Sequence, residues 1–514
     1  MKRDGACNSL WQDTTQNFNG KKIVVNPNQV FDVIIAGGGI TGITTGLLLQ
    51  KAGKSVLIAE AQSPGFGTTG GTTAHLNTFF DTPYNTIQKK FGDDNAKLVA
   101  KAARQALEFI KRNVEEYQID CGYQQLPGYL FSQDEKQSKE LEDILKASQG
   151  CNVECSWSEH LPVFIPFRKV LQFDGQATFH PARYLMALAK AFENAGGVLL
   201  ENCRITDVEE LESGNKVTSN LGSFTSQNFI YATHIPPGVN LLHFRCAPYR
   251  SYAIAVKLDQ QAAYPDALVY DMCDPYHYYR TQEIDGELYF IAGGEDHKTG
   301  HEENTEACFR RLEAHIRKFF PVKEIVNRWS SQYFEPTDGL PYIGHLPGHP
   351  GNMYVATGYG GNGMIYSAVA AITLTDMITG GESEYEELFD PNRIKMVAGF
   401  SIFVKEAADV VGHLVGRAIL PSDKLGELAD MAPGEAKVVK YEGQRLALYK
   451  NENGKIFALN SACTHIKCEV AWNSAEKTWD CPCHGSRFSY KGEMLTAPAR
   501  KDLSPVEIRK EEKV

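Results

Sequence analysis

VFDVIIA (Val30–Ala36), GGGITG (Gly37–Gly42), ITTGLLLQKA (Ile43–Ala52) and SVLIAE (Ser55–Glu60) follow one another almost without a gap. The first segment reads as a buried strand, the glycine run as a turn, the next as an apolar helix, and the last as a second buried strand ending in an acid. Between a strand and a helix each glycine has a separate task. Gly37 permits the tight turn, Gly39 lets backbone approach a pyrophosphate at the positive end of the helix, and Gly42 lets helix and strand pack closely. Glu60, eighteen residues past Gly42, is spaced to accept both hydroxyls of a ribose. The stretch therefore predicts a βαβ dinucleotide site for NAD or FAD.

Working outward, GFGTTGGTTAHL (Gly65–Leu76) is a loop of small residues, and far downstream come TDGLPYIG (Thr337–Gly344), a strand NMYVAT (Asn352–Thr357), a loop GYGGNG (Gly358–Gly363) and a helix Met364–Ile378. Gly358, Gly360 and Gly363 repeat the dinucleotide spacing. No strand ending in an acid follows them, because Gly380 and Gly381 break the chain before Glu382, so a second, nicotinamide site is not expected. Over roughly residues 32–381 the chain resembles the flavoprotein superfamily of glycine oxidase, D-amino-acid oxidase and sarcosine oxidase. The resemblance implies FAD held in an α/β Rossmann-like domain with an interleaved α+β substrate domain. It also implies that the first small-residue loop, Thr73 included, and the loop of Gly358, Gly360 and Gly363 cradle the isoalloxazine.

The same resemblance assigns residues 79–173 and 248–334 to the substrate layer. It implies an arginine whose planar fork holds a substrate carboxylate. Arg280, in Tyr278-Tyr279-Arg280, is the first candidate and Arg250 the second, with a solvated strand arginine as the alternative for either. His75 is a catalytic candidate through its place in the small-residue loop, against a structural hydrogen-bonding role. Thr233 and His234 follow the strand FIYA (Phe229–Ala232) where relatives read Ala-Gly or Thr-Gly, a departure that leaves the local backbone contact open.

The back of the chain has another texture. After Asp390-Pro391, apolar residues at Ile394, Val397, Phe400, Val404, Ala407, Val411, Leu414 and Ala418 predict one amphipathic helix docked across two domains. From Glu435 short alternating strands begin, with Asn453-Gly454 as a hairpin turn. Cys463-Thr464-His465 and Cys481-Pro482-Cys483-His484-Gly485-Ser486 then put one cysteine and one histidine on each of two loops. That is the donor set of a [2Fe-2S] centre with two thiolates on one iron and two imidazoles on the other. A Cys2His2 zinc site is the alternative, but its histidines normally come paired after paired cysteines.

This segment resembles the Rieske iron–sulfur family, which implies Cys463, His465, Cys481 and His484 as ligands. Cys468 and Cys483 occupy the positions of the loop-bridging disulfide in cytochrome-complex Rieske proteins. Ser486 matches the hydroxyl that donates to a cluster sulfur in high-potential members, while Phe488 stands where those members have tyrosine, so an intermediate potential is expected.

Composition limits the rest. The 514 residues suit about three or four domains, 43% apolar and 22% charged residues describe an ordinary folded chain, and the net charge of −11 offers no footprint for nucleic acid. No stretch meets the roughly 20-residue apolar requirement for a membrane span. Without an apolar export segment after Met1, a cytoplasmic location is expected, and the twelve cysteines read as thiols or metal ligands rather than a disulfide framework.

The expected organisation is an N-terminal extension (1–29), a FAD-dependent oxidoreductase (30–389), a helical linker (390–420) and an all-β Rieske domain (421–514). The expected activity is C–N dehydrogenation of a small amine or amino acid, with electrons passed from flavin to the cluster and on to a one-electron partner protein. Two alternatives stay open: a reductase fed through the Rieske domain by a donor protein, and an electron-transfer protein without substrate chemistry. A Rieske oxygenase is disfavoured by the lack of an Asp and two His at facial-triad spacing.

Overall fold

The first strand, Val30–Ala36, lies inside a parallel sheet, between Val56–Ala59 on one side and Gly222–Tyr231 on the other. Val198–Leu200 and Met353–Thr357 extend the parallel set outward, and antiparallel Tyr342–His345 closes one edge of this eight-stranded sheet. Its side chains alternate as a period of two requires. Val33 and Ile35 pack with the helices Ile40–Lys51, Pro181–Asn194 and Gly363–Thr379, whereas Ile34 and Ala36 enter a separate cluster with Phe229, Tyr231 and Val355. A strand covered on both faces has no use for polar alternation, which is why Val33 to Ala36 read as one apolar run.

The computed structural model describes residues 3–21, 25–26, 29–259, 264–349, 351–393, 431–441 and 443–507. The amphipathic linker expected beyond Asp390 falls almost wholly outside them. No helix among the described residues is long and apolar enough to cross a membrane.

A nine-stranded, mostly antiparallel second sheet forms the expected substrate layer, with strands drawn from His75–Thr178 and Cys246–Pro336. Here too one strand serves two cores. In Cys246–Leu258, Tyr252, Ile254 and Val256 pack under the helix Thr305–Phe319, while Ala253 and Ala255 face Leu10, Trp11 and Trp329. The N-terminal segment is thus part of the core rather than a loose extension. Trp11 is fully buried and donates through Nε1 to Thr72 O at 2.5 Å.

The last module has a three-stranded sheet, Ala436–Tyr441, Gln444–Lys450 and Ile456–Asn460, and a four-stranded one running from Ala471 to Thr496. The hairpin over Asn453-Gly454 forms as its sequence predicts, with Gly454 in the left-handed region at φ +78°.

Candidate active site

Both glycine-rich loops and the substrate layer open onto one cavity of about 310 Å³. At one end the helix Ile40–Lys51 begins at Gly39, which has no side chain to cap it; Thr69 Oγ1 accepts from Ile40 N at 3.1 Å, and Gly39, Ile40 and Thr41 line the cavity. A Cβ on Gly42 would lie 1.9 Å from Gly37 O, and one on Gly37, itself at φ +109°, 2.5 Å from Ala232 O. Only glycine fits this cradle. Glu60 accepts from Gly38 N and Gln62 N, both at 2.7 Å, and borders the cavity with its remaining lone pairs. Burial raises its carboxyl above the usual range despite those bonds. Thr73, Gly360 and Gly363 line the same cavity, whereas Gly358, at φ +72°, does not line it but turns the chain beside Cys246 and Tyr342. The second glycine motif therefore completes the first site instead of making another. A helix terminus that opens on the cavity, an acid at ribose spacing and a glycine cradle suit a flavin dinucleotide.

Arg280 corrects the expectation for substrate binding. It is fully buried outside the cavity, and its terminal nitrogens donate to Thr73 O, Ala74 O and Phe179 O and to Gln282. A guanidinium so occupied cannot also clamp a substrate carboxylate; it fastens the small-residue loop to the sheet. Arg250 is diverted as well, donating to Ser330 Oγ at 2.6 Å and lying 3.7 Å from Asp480 in the last module. His75 does reach the cavity. Its ring sits between Tyr270 and Tyr278, Nδ1 lies 3.2 Å from Thr73 Oγ1, and Nε2 is buried without a partner. Burial first, and the Arg280 charge second, hold it neutral well below the ordinary histidine value.

The other walls carry groups the sequence did not single out. Tyr270, Tyr276, Tyr278 and Tyr333 line the substrate end together with Asp81. Tyr333 Oη donates to Asp296 Oδ2 at 2.9 Å, and Asp81 Oδ2 accepts from Gly361 N at 2.9 Å.

The four expected cluster ligands come together at the tips of two loops. Cys463 and Cys481 are buried and interact directly with each other. His465 Nε2 lies 3.0 Å from Gly238 O; a carbonyl only accepts, so Nε2 carries the proton and the lone pair is on Nδ1, which is buried without a partner. Both nitrogens of His484 are buried and unpartnered too. Two adjoining thiols and two imidazoles with idle buried nitrogens are a donor set awaiting soft metal ions, and they fit the mixed ligation of a Rieske cluster. Cys468 and Cys483 are joined in a disulfide that ties the two loops.

Beneath these loops lies the FAD-type module itself. The turn Leu241–Phe244 covers them, with the His243 ring 4.8 Å from that of His465 and the Phe244 ring 5.4 Å from that of His484. Gln332 Nε2 donates to Gly485 O at 2.9 Å. Beside this contact is a buried ionic network. Asp4 pairs with Arg487 at 2.6 Å, Arg487 with Asp480 at 3.2 Å, and Arg3 with Glu476 at 3.2 Å. The roles of Arg3 and Asp4 are not announced in sequence, since their partners Glu476 and Arg487 lie hundreds of positions away, whereas Arg487 and Asp480 are seven apart on neighbouring strands.

Comparison with known proteins agrees with this geometry. Residues 32–377 match the family of FAD dependent oxidoreductases and residues 423–507 the Rieske [2Fe-2S] domain. A Bacillus subtilis protein named as a Rieske 2Fe-2S iron–sulfur protein, YhfW, is 33% identical over 479 residues, 93% of each chain. Gamma-glutamylputrescine oxidoreductase of Escherichia coli is 24% identical over 70% of this chain and 87% of its own. Glycine oxidase of Geobacillus kaustophilus superposes with a TM-score of 0.61 at 19% identity, over 71% of this chain and all of that one. The chain belongs to the FAD-dependent oxidoreductase family and carries a C-terminal Rieske domain, so its cofactors are FAD and a [2Fe-2S] cluster.

Proposed function

We propose that the enzyme oxidises the C–N bond of a small amine or amino acid and that the electrons leave the flavin through the Rieske cluster. The observation that carries this reading is the docking of both cluster loops on segments that border the flavin cavity. Thr233, His234, Ile235 and Pro237 line the cavity, and the next residue, Gly238, accepts from His465. On the other loop Gln332, also at the cavity wall, reaches Gly485, the neighbour of His484. When bound, FAD takes up a pair of electrons with hydrogen from the substrate carbon, and the cluster takes electrons singly.

The chain's own part is to hold and insulate. The Gly37–Gly42 turn and Glu60 anchor the dinucleotide, Arg280 stiffens the Thr73–Ala74 loop, and the tyrosines with neutral His75 wall off the reacting carbon from water. His75, kept uncharged, has an idle Nε2 with which to accept a hydrogen bond or a proton.

Anaerobic stopped-flow measurements with a panel of amines and amino acids test the reading. Substrate should bleach the flavin equally in the parent and in Cys463→Ser, and only turnover with a one-electron acceptor should fail in the variant. Equal turnover despite proven cluster loss would refute an outlet through the cluster. A flavin reduced by no compound in the panel, yet reduced through the cluster by a one-electron donor, would favour the reverse direction.

A further inference from the structure

Resting on that reading, we infer that the substrate is a cationic amine with a second ammonium group where an amino acid would carry its carboxylate: a diamine or polyamine.

Charge beside the cavity is the first ground: Asp81 lines it, and Glu335 and Asp296 stand against the lining residues Gly360 and Tyr333. Glu335 and Asp81 border the Gly360–Gly361 backbone, with Glu335 Oε2 3.5 Å and Asp81 Oδ2 3.8 Å from the point where a Cβ of Gly360 would stand. Asp296 joins them through Tyr333, and its Oδ1 is buried with no hydrogen-bond partner. Burial pushes Asp296 up to about 7 and Glu335 up to about 8, and the neighbouring charge of Asp81 adds to each shift. Carboxylates crowded at low dielectric are costly unless a cation accompanies them.

Among the described residues no nearby side chain supplies that cation in full. Lys90 lowers Glu335 from a distance, but its ammonium donates to Asp338 O. His277 is engaged with Asp271 at 2.9 Å. Arg280 is screened from the cavity by the carbonyls of Thr73 and Ala74, and Arg250 turns to Ser330 and Asp480. The arginines that do line the cavity stand at its dinucleotide end, where Arg204 acts on Glu60 and Arg500 pairs with Asp207.

Aromatic surface is the second, independent ground. Tyr270, Tyr276, Tyr278 and Tyr333 line the cavity together with Asp81. Such walls attract ammonium groups and the methylenes between them. An α-amino acid would bring its carboxylate to three acids with no free guanidinium to receive it.

The test compares, on the intact holoenzyme under anaerobic conditions, a series of α,ω-diamines of increasing length. Each is set against the alkylamine and the ω-amino acid of matching length, and against glycine, sarcosine and proline. Half-saturation of flavin bleaching by the best diamine should be lower than that of its matched alkylamine by about tenfold or more, as one well-placed charged contact gives. The ω-amino acids should be weaker still. Glu335→Gln and Asp296→Asn should shrink the diamine-over-alkylamine ratio toward one, with FAD content and the reduced-cluster EPR signal certifying that each variant folds. The comparison of compounds on the unaltered protein stands even if neither variant does.

A matched ω-amino acid or an α-amino acid that saturates at lower concentration than every diamine would overturn the inference and leave C–N oxidation intact. Bleaching by none of the compounds would overturn both.

Discussion

Gln332 and Tyr333 are consecutive residues of the strand Val322–Pro336 and work in opposite directions: Tyr333 donates to Asp296 at the substrate end of the cavity, while Gln332 donates to Gly485 in the cluster loop. A strand turns successive side chains to opposite faces. Ser331, Gln332, Tyr333 and Phe334 all line the cavity, Glu335 reaches the Gly360 backbone beside it, and Ser330 shares the face of Gln332, where its hydroxyl donates to Glu476 at 2.7 Å. One strand thus touches both redox modules without an intervening loop.

Gln332→Ala should uncouple the two. It removes a hydrogen bond worth about 1 kcal/mol net and leaves Gly485 O with only the longer bond from Thr496 Oγ1 at 3.4 Å. Reoxidation of the flavin through the cluster is expected to slow several-fold more than flavin reduction does, read as separate phases in stopped flow. Equal slowing of both phases would assign Gln332 to the cavity alone.

The ionic network at the same boundary gives an acid-sensitive contact. Arg487, and Arg3 after it, hold the Asp4 carboxyl below the ordinary range against the opposing effect of burial. A lowered native pKa contributes stability that is complete above the unfolded-state value near 4 and is lost as pH falls through the lowered native value. Asp4→Leu should remove this contribution at every pH and cost roughly 3 kcal/mol, since a buried partner charge loses a neighbour. Denaturant unfolding of the parent and the variant from neutral to acid pH checks both; the two curves should converge in acid.

The crowded acids of the cavity predict the opposite trend for substrate. Glu335 near 8 and Asp296 near 7 ionise only as pH rises through that window, facing Asp81, Tyr333 and Tyr276, with Lys90 and His277 as the closest cations. Affinity for a dication should therefore climb from about pH 6 to pH 8, as joint steps of a coupled pair. Half-saturation for a diamine, followed over that range in the parent and in Glu335→Gln, should lose part of its pH dependence in the variant.

Ser486 tests the tuning of the cluster. Its hydroxyl oxygen accepts from Ala499 N at 3.0 Å, and the hydroxyl lies within hydrogen-bonding reach of Cys463. A donor to sulfur favours the reduced cluster, so Ser486→Ala should lower the midpoint potential in film voltammetry, and an unchanged potential would place the hydroxyl off the cluster.

What could be read from the sequence was local chemistry. The Gly37–Gly42 turn, Glu60 and the two Cys-His loops are each defined by spacings of a few residues to about twenty, and the covalent chain enforces such spacings. Arg280 misled because a strand arginine beside tyrosines looks the same whether it faces a ligand or the carbonyls of a neighbouring loop; only the paths of Thr73–Ala74 and Phe179 decide. Asp81, Asp296 and Glu335 were invisible as a group, since they come from a loop and two strands that only folding brings together. Thr233-His234 was noticed as a departure, and it opens the stretch that runs from the cavity to Gly238.

The burial of Arg3 and Asp4 also bears on the order in which the molecule is put together. Their partners Glu476 and Arg487 are 473 and 483 positions downstream, so these buried pairs form only after a far later stretch of chain has been made. Arg3 and Asp4 also lie 3.5 Å from each other, but the surface they cover stays open until the cluster module is in place. Closing so long a loop is a late event. The segment around Arg3 and Asp4 is therefore a latch set late in assembly, clasping the cluster module to the flavin module.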